Sequence, residues 1–149
     1  MPAGALAQLS FGRLNAAVML NLMTSADFRR IALSMPEAYE SAHMGHPDFR
    51  VAGQIFATLG YSEERCGVVL LPLEEQARFV RTHPLAFAPV KGAWGRRGDT
   101  QIVLEAIDSS TLQAAIAAAH SAKQSARLRK QRRVRERRLT KRAYNEKAG

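Results

Sequence analysis

Pro47-Asp48-Phe49-Arg50-Val51-Ala52-Gly53-Gln54-Ile55-Phe56-Ala57-Thr58-Leu59-Gly60 is the stretch that decides the fold. Phe49 and Val51 alternate with Asp48 and Arg50, the period-2 pattern of a half-buried strand. Ala52-Gly53 supplies a two-residue turn, and Ile55 to Leu59 forms the return strand of a hairpin. Downstream, Tyr61 to Arg65 reads as a polar loop and Cys66 to Leu71 as a third strand. Phe87 to Val90 reads as a short edge strand, because Pro89 cannot donate to a central ladder. Gly92, Gly95 and Gly98 punctuate a loop, and Thr100 to Ile107 makes the last strand.

Helices frame these strands. Thr24 or Ser25 caps the first, with Asp27 near its positive end. Phe28, Ile31, Ala32 and Met35 fall on one face, and Pro36 stops it. The second starts at Pro72 with Glu74 and Glu75 in its first turn. Leu73, Gln76, Ala77 and Val80 share a face, and His83-Pro84 ends it. Asp108, Ser109 or Ser110 caps the last helix, which turns Leu112, Ala115, Ile116 and Ala119 to the core. The order α-β-β-β-α-β-β-α, with few β-α-β crossovers, predicts the α+β class: a largely antiparallel sheet flanked by helices.

The 149 residues suffice for one domain with appendages. The domain is placed at residues 23–122, between a loosely ordered extension (1–22) and a polybasic tail (123–149). The extension lacks the basic start and unbroken apolar run of a secretory signal, although its Ala-rich, acid-free composition leaves a faint transit-peptide reading. No apolar run reaches membrane-spanning length, so a cytoplasmic protein with no membrane partner is expected. One cysteine excludes an internal disulfide. Charge is divided unevenly. Residues 121–149 hold twelve basic and two acidic side chains (net +10), leaving ten basic and eleven acidic before them (net −1). The tail reads as a frayed extension of the last helix, with too few apolar residues to bury, able to order on a polyanion.

Leu33-Ser34-Met35-Pro36-Glu37-Ala38-Tyr39-Glu40-Ser41 and Gly45-His46-Pro47 through Ala57 together resemble the MmcQ/YjbR-like family. Gly67-Val68-Val69-Leu70-Leu71-Pro72 and Trp94-Gly95-Arg96-Arg97-Gly98, followed by a strand and a helix, extend the resemblance over roughly Ser25 to His120. It implies a CyaY-like domain with an antiparallel sheet flanked by helices. It also implies DNA binding, with the hairpins acting as wings, and brings no catalytic residue. This chain departs from the pattern at Asp99, where many members carry tryptophan; an acid there argues against phosphate contact at that point. The basic tail lies outside the family pattern.

Enzyme chemistry finds little support. No nucleophile elbow, Walker loop or metalloprotease motif occurs, and no cofactor is implied. His43, His46 and Asp48 resemble a metal set, but Gly45 and Pro47 make this a turn, without the further ligands zinc needs. Cys66 lacks a base and reads as a buried structural thiol. The pairs Glu63-Glu64 and Glu74-Glu75 read as solvated charges. Gly92 to Gly98 has two readings. Its glycines, Arg96, Arg97 and an exposed Trp94 suit phosphate and base contacts; the stronger reading is a structural turn whose glycines adopt positive φ while Trp94 covers the sheet edge.

Arg127, Arg129, Lys130, Arg132, Arg133, Arg135, Arg137 and Arg138 carry the strongest signal, since such segments bind nucleic acid by releasing condensed counterions. The expected function is therefore non-enzymatic nucleic-acid binding, DNA before RNA, with Trp94, Arg96 and Arg97 second to the tail. The competing reading is a protein-interaction or small-ligand module on the sheet, with the tail incidental. Oligomeric state is left open.

Overall fold

The computed structural model describes residues 22–60 and 65–148. The extension before Leu22 and the loop from Tyr61 to Glu64 therefore lie outside the described residues. Helix α1 (Ser25–Ser34) leads into strands β1 (Tyr39–His43), β2 (His46–Val51), β3 (Gln54–Leu59) and β4 (Cys66–Leu70). Helix α2 (Leu73–Thr82), strand β5 (Phe87–Pro89), the single turn α3 (Ala93–Arg96) and strand β6 (Asp99–Val103) follow. A 3-10 turn (Leu104–Ala106) precedes the long helix α4 (Ser109–Lys147). The described strands form one six-stranded sheet in the order β1-β2-β3-β4-β6-β5. Every pairing is antiparallel. The α+β class read from the sequence is the class of the structure.

The central hairpin is where the alternation places it. Phe49 and Val51 are fully buried, and Ala52-Gly53 turns the chain with positive φ at both residues (55° and 76°). Across β2 and β3, Phe49 faces Ala57 but Arg50 faces Ile55, so Phe56 is the extra residue of a bulge. That bulge accounts for Phe56 and Ala57 being neighbours that are both fully buried.

Four details depart from the sequence pattern. First, β1 is an added strand, pairing Tyr39 with Arg50 and His43 with His46. Its side chains are mostly exposed, so no apolar alternation announces it. Second, α2 buries Gln76 and Phe79 with Val80 half-buried, whereas Leu73 and Ala77 face solvent. Third, β6 ends at Val103, before the 3-10 turn, rather than at Ile107. Fourth, the segment expected as a loop at 92–98 contains α3.

Two helices supply most of the core lining. In α1, Phe28, Ile31 and Ala32 are buried, and Thr24 and Asp27 form a reciprocal capping box. Phe28 packs where Gly67 leaves room; a Cβ at Gly67 would collide with the ring. In α4, Leu112, Ala115, Ile116 and Ala119 are fully buried. His120 is buried beside them, its Nε2–H donating to the Pro36 carbonyl at 2.7 Å and its ring edge-on to Phe56. This bond ties the end of the first helix to the middle of the last.

Candidate nucleic-acid interface

Asp108 caps α4, accepting from the Thr111 amide at 2.7 Å. The backbone bond from Thr111, followed by hydroxyl bonds from Thr111 and Ser110, holds its carboxyl below the usual 3.8. The packed first half of α4 removes the nucleation barrier for the rest, and the helix continues unbroken to Lys147. The expected extension of the last helix is thus helical. Ala122, Lys123 and Ala126 are still half-buried, but every described residue from Arg127 onward is exposed. Residues 127–147 form a free arm roughly 30 Å long, at 1.5 Å per residue.

Arg127, Arg129, Lys130, Arg132, Arg133, Arg135, Arg137 and Arg138 all lie on this arm. At 100° per residue they fall on every side of the helix. The arm's two acids are taken by local pairs, Arg132 with Glu136 at 3.2 Å and Arg142 with Glu146 at 3.1 Å. Among the described residues, no other carboxylate pairs with it. Leu128, Val134, Leu139 and Tyr144 are exposed; only Leu128 and Leu139 share a side, three turns apart, so the arm has no continuous apolar stripe for a membrane or a partner helix.

The second candidate, Trp94 to Arg97, is held by a residue that pattern reasoning counts only as part of a helix face. Buried Gln76 donates its amide to the carbonyls of Gly95 (3.0 Å) and Asp99 (3.2 Å) and to the Thr100 hydroxyl (3.0 Å). Gly95 lies against the Val90 carbonyl and Gly98, at φ 114°, against the Leu71 carbonyl, where any Cβ would collide. The amides of Arg96, Arg97 and Gly98 donate to carbonyls within the turn, so they form no anion cradle. The glycines are steric necessities, and any ligand contact falls to the side chains. Trp94 is 61% exposed, with the Arg97 guanidinium 5.6 Å from its ring centre.

Trp94, Arg97 and Asp99 line a cleft of about 410 Å³ together with Gln54 at the start of β3, Leu70 to Pro72, and Ala122, Lys123 and Ala126 of α4. Burial pushes the Asp99 carboxyl above the usual 3.8, opposed by the Lys123 and Arg97 cations. Sequence reasoning notes Asp99 only as an obstacle to phosphate, and it misses Gln54 and Ala126 as site residues. Nothing in local spacing announces a cleft built from four separated segments.

The remaining candidates resolve locally. Asp48 is buried but satisfied, with Arg50 bridging both its oxygens at 2.7 and 2.8 Å. His43 and His46 face each other across the β1–β2 turn, and no three metal-ligating side chains cluster among the described residues. Cys66 is buried and accepts from the Gln101 amide at 3.2 Å. Arg65 turns to Glu105 instead. No helix of the described residues is long and apolar enough to cross a membrane.

The architecture is thus a six-stranded antiparallel sheet flanked by helices, the last of which continues as a cationic arm. The YjbR family profile matches residues 33–122, and the chain belongs to that family. A solved structure, that of Deinococcus radiodurans protein DR2400 with its DUF419 domain, has the same fold: TM-score 0.56, 14% identity, covering 66% of this chain and 76% of that one. Among curated proteins, none matches the sequence significantly.

Proposed function

We propose that this YjbR-family protein is a non-enzymatic, cytoplasmic nucleic-acid-binding protein whose α4 arm grips phosphates, DNA before RNA. The observation that carries the reading is the arm itself: a helix exposed on all sides from Arg127, cationic around its circumference, with two local ion pairs as its only charge compensation among the described residues. Cations held at this density next to a duplex release its condensed counterions, which gives affinity without sequence preference. The domain contributes position: α4 is anchored through Leu112 to His120, and the Trp94–Arg97 turn lies beside its point of exit.

The test is binding to duplex DNA by fluorescence anisotropy, comparing the full chain with a full-length variant in which the eight named arm cations are glutamine. Affinity should fall at least tenfold in the variant while the thermal melt of the domain stays in place. Equal binding by both would reject the reading and move the interaction, if any, to the sheet.

A further inference from the structure

Asp99 stands out among the described carboxylates. It is half-buried in the cleft, its own pairing strand β4 places Leu70 opposite it, and its carboxylate makes no hydrogen bond or ion pair among the described residues. Its oxygens keep access to solvent, with Arg97 and Lys123 as the nearby cations, so a ligand entering the cleft can take up their acceptor capacity in place of water. Its backbone, by contrast, is fixed: the Asp99 carbonyl accepts from Gln76 and from the Val90 amide at 2.9 Å. The side chain is therefore presented from a rigid strand end with its acceptor oxygens available.

The groups around it have complementary chemistry. Trp94 offers an exposed indole, a stacking platform for any base. Arg97 and Lys123 bring positive charge to the same cleft, close enough to act on the Asp99 carboxyl. Gln54 adds an amide donor. A ligand that uses all four needs a flat π-system, an edge with two adjacent N–H donors for the carboxylate, a carbonyl oxygen next to them for the amide, and a phosphate for the cations. Of the common nucleobases, guanine alone presents that edge, through N1–H, the 2-amino group and O6. Adenine and cytosine offer a ring nitrogen acceptor where guanine has N1–H, and uracil has no exocyclic amine.

We propose that this cleft takes an unpaired guanine base: Trp94 stacks on it, the Asp99 carboxylate accepts from its N1–H and 2-amino group, the Gln54 amide donates to O6, and Arg97 and Lys123 hold its phosphate. The inference rests on the nucleic-acid reading only for one of two sources of the base, a single strand or a free nucleotide. The arm is not part of the site, which lies before Arg127. A guanine paired in a duplex has its Watson–Crick edge occupied and is excluded. The cleft therefore makes a function for single strands or nucleotides that phosphate contacts alone do not give.

Trp94 is the chain's one tryptophan, so its fluorescence reports on the cleft directly. The full-length protein is titrated with GMP, AMP, CMP and UMP at salt high enough to suppress the arm. GMP should quench Trp94 and bind at least tenfold tighter than AMP. Asp99→Asn, which removes a partly dehydrated charge and so should fold, should abolish the preference for GMP while leaving weak stacking of AMP unchanged. Lys123→Gln should weaken all four nucleotides alike and guanosine little. Absence of quenching by any nucleotide, equal affinity for GMP and AMP, or a GMP preference that survives Asp99→Asn would each overturn the proposal. An oligothymidine with one central guanine, compared with one without, identifies the source: discrimination there points to a strand, and discrimination by GMP alone to a free nucleotide. The arm is read separately from duplex binding, so a null result with GMP beside strong duplex binding sinks this inference alone.

Discussion

Helix α4 is one continuous element with two halves that obey different physics. From Leu112 to His120 it is the core's backstop, with Leu112, Ala115, Ile116 and Ala119 fully buried. From Arg127 to Lys147 it touches nothing else, and like charges at i, i+4, such as Arg129 and Arg133, oppose it. The first half is helical because its apolar face removes surface from water; the second is helical because it inherits a formed turn. What the comparison teaches is that burial, and not the secondary-structure assignment, separates the folded domain from the arm.

Substitutions on the two halves should differ most in stability. Ile116→Ala, by cavity formation, is expected to cost about 2–5 kcal/mol, whereas Leu128→Ala should stay within about 0.5 kcal/mol of wild type. Chemical denaturation of the full chain measures both, and similar losses would mean that the arm packs on something. Amide exchange sharpens the same contrast. Amides from residue 112 to 120 should exchange only through global unfolding, and those beyond residue 130 should exchange orders of magnitude faster through local fraying. Uniform protection along α4 would break the division.

The Asp108 cap gives a smaller effect with a definite pH dependence. Asp108→Ala should cost about 1 kcal/mol. Because its carboxyl titrates below 3.8 in the folded chain, the stabilisation is fully present above pH 3.8 and is lost as the pH falls from there through the lower folded value. Asp99 has the opposite sign. Its raised folded value means that, in the window above 3.8, the native state takes up a proton first and acidification favours folding at this group. The difference between wild type and Asp108→Ala should therefore shrink below pH 4 in urea titrations, and the difference between wild type and Asp99→Asn should shrink as well, from higher pH. The smallest effect belongs to the central turn. Ala52, at φ 55°, occupies a region that L-residues with a Cβ avoid, so Ala52→Gly should raise stability by roughly 0.5–1 kcal/mol. A loss of stability would show that the turn is held by contacts of the Ala52 methyl.

Much of this was legible in the chain. The alternation at Phe49 and Val51, the turn at Ala52-Gly53 and the 3.6-residue stripes of α1 and α4 are local signals of which face is buried. β1 was not legible, because an edge strand exposed on both faces needs no apolar pattern and is held by backbone bonds to β2. The face of α2 is only partly legible, because its buried anchor, Gln76, is polar and is held by hydrogen bonds to a segment 19 to 24 residues away. The arm is legible as charge and as an extension of the last helix; its unbroken run to Lys147 is not, because like charges at i, i+4 argue for fraying. The cleft was invisible, since Gln54, Trp94, Asp99 and Lys123 come together only when the sheet and α4 are assembled.

The central claim, that the arm binds nucleic acid as a polycation, is tested most directly by the salt dependence of duplex binding. The arm, residues 127–147, holds eleven basic residues and two acids. If about five to eight of them neutralise phosphates at once, log K against log salt should be linear with a slope of roughly −4 to −7, at about −0.9 per contact. Scrambling residues 127–147 at constant composition should leave that slope nearly unchanged, and replacing the arm cations by glutamine should flatten it. A flat slope in the wild type, or salt-insensitive binding that survives loss of the arm cations, would contradict the account.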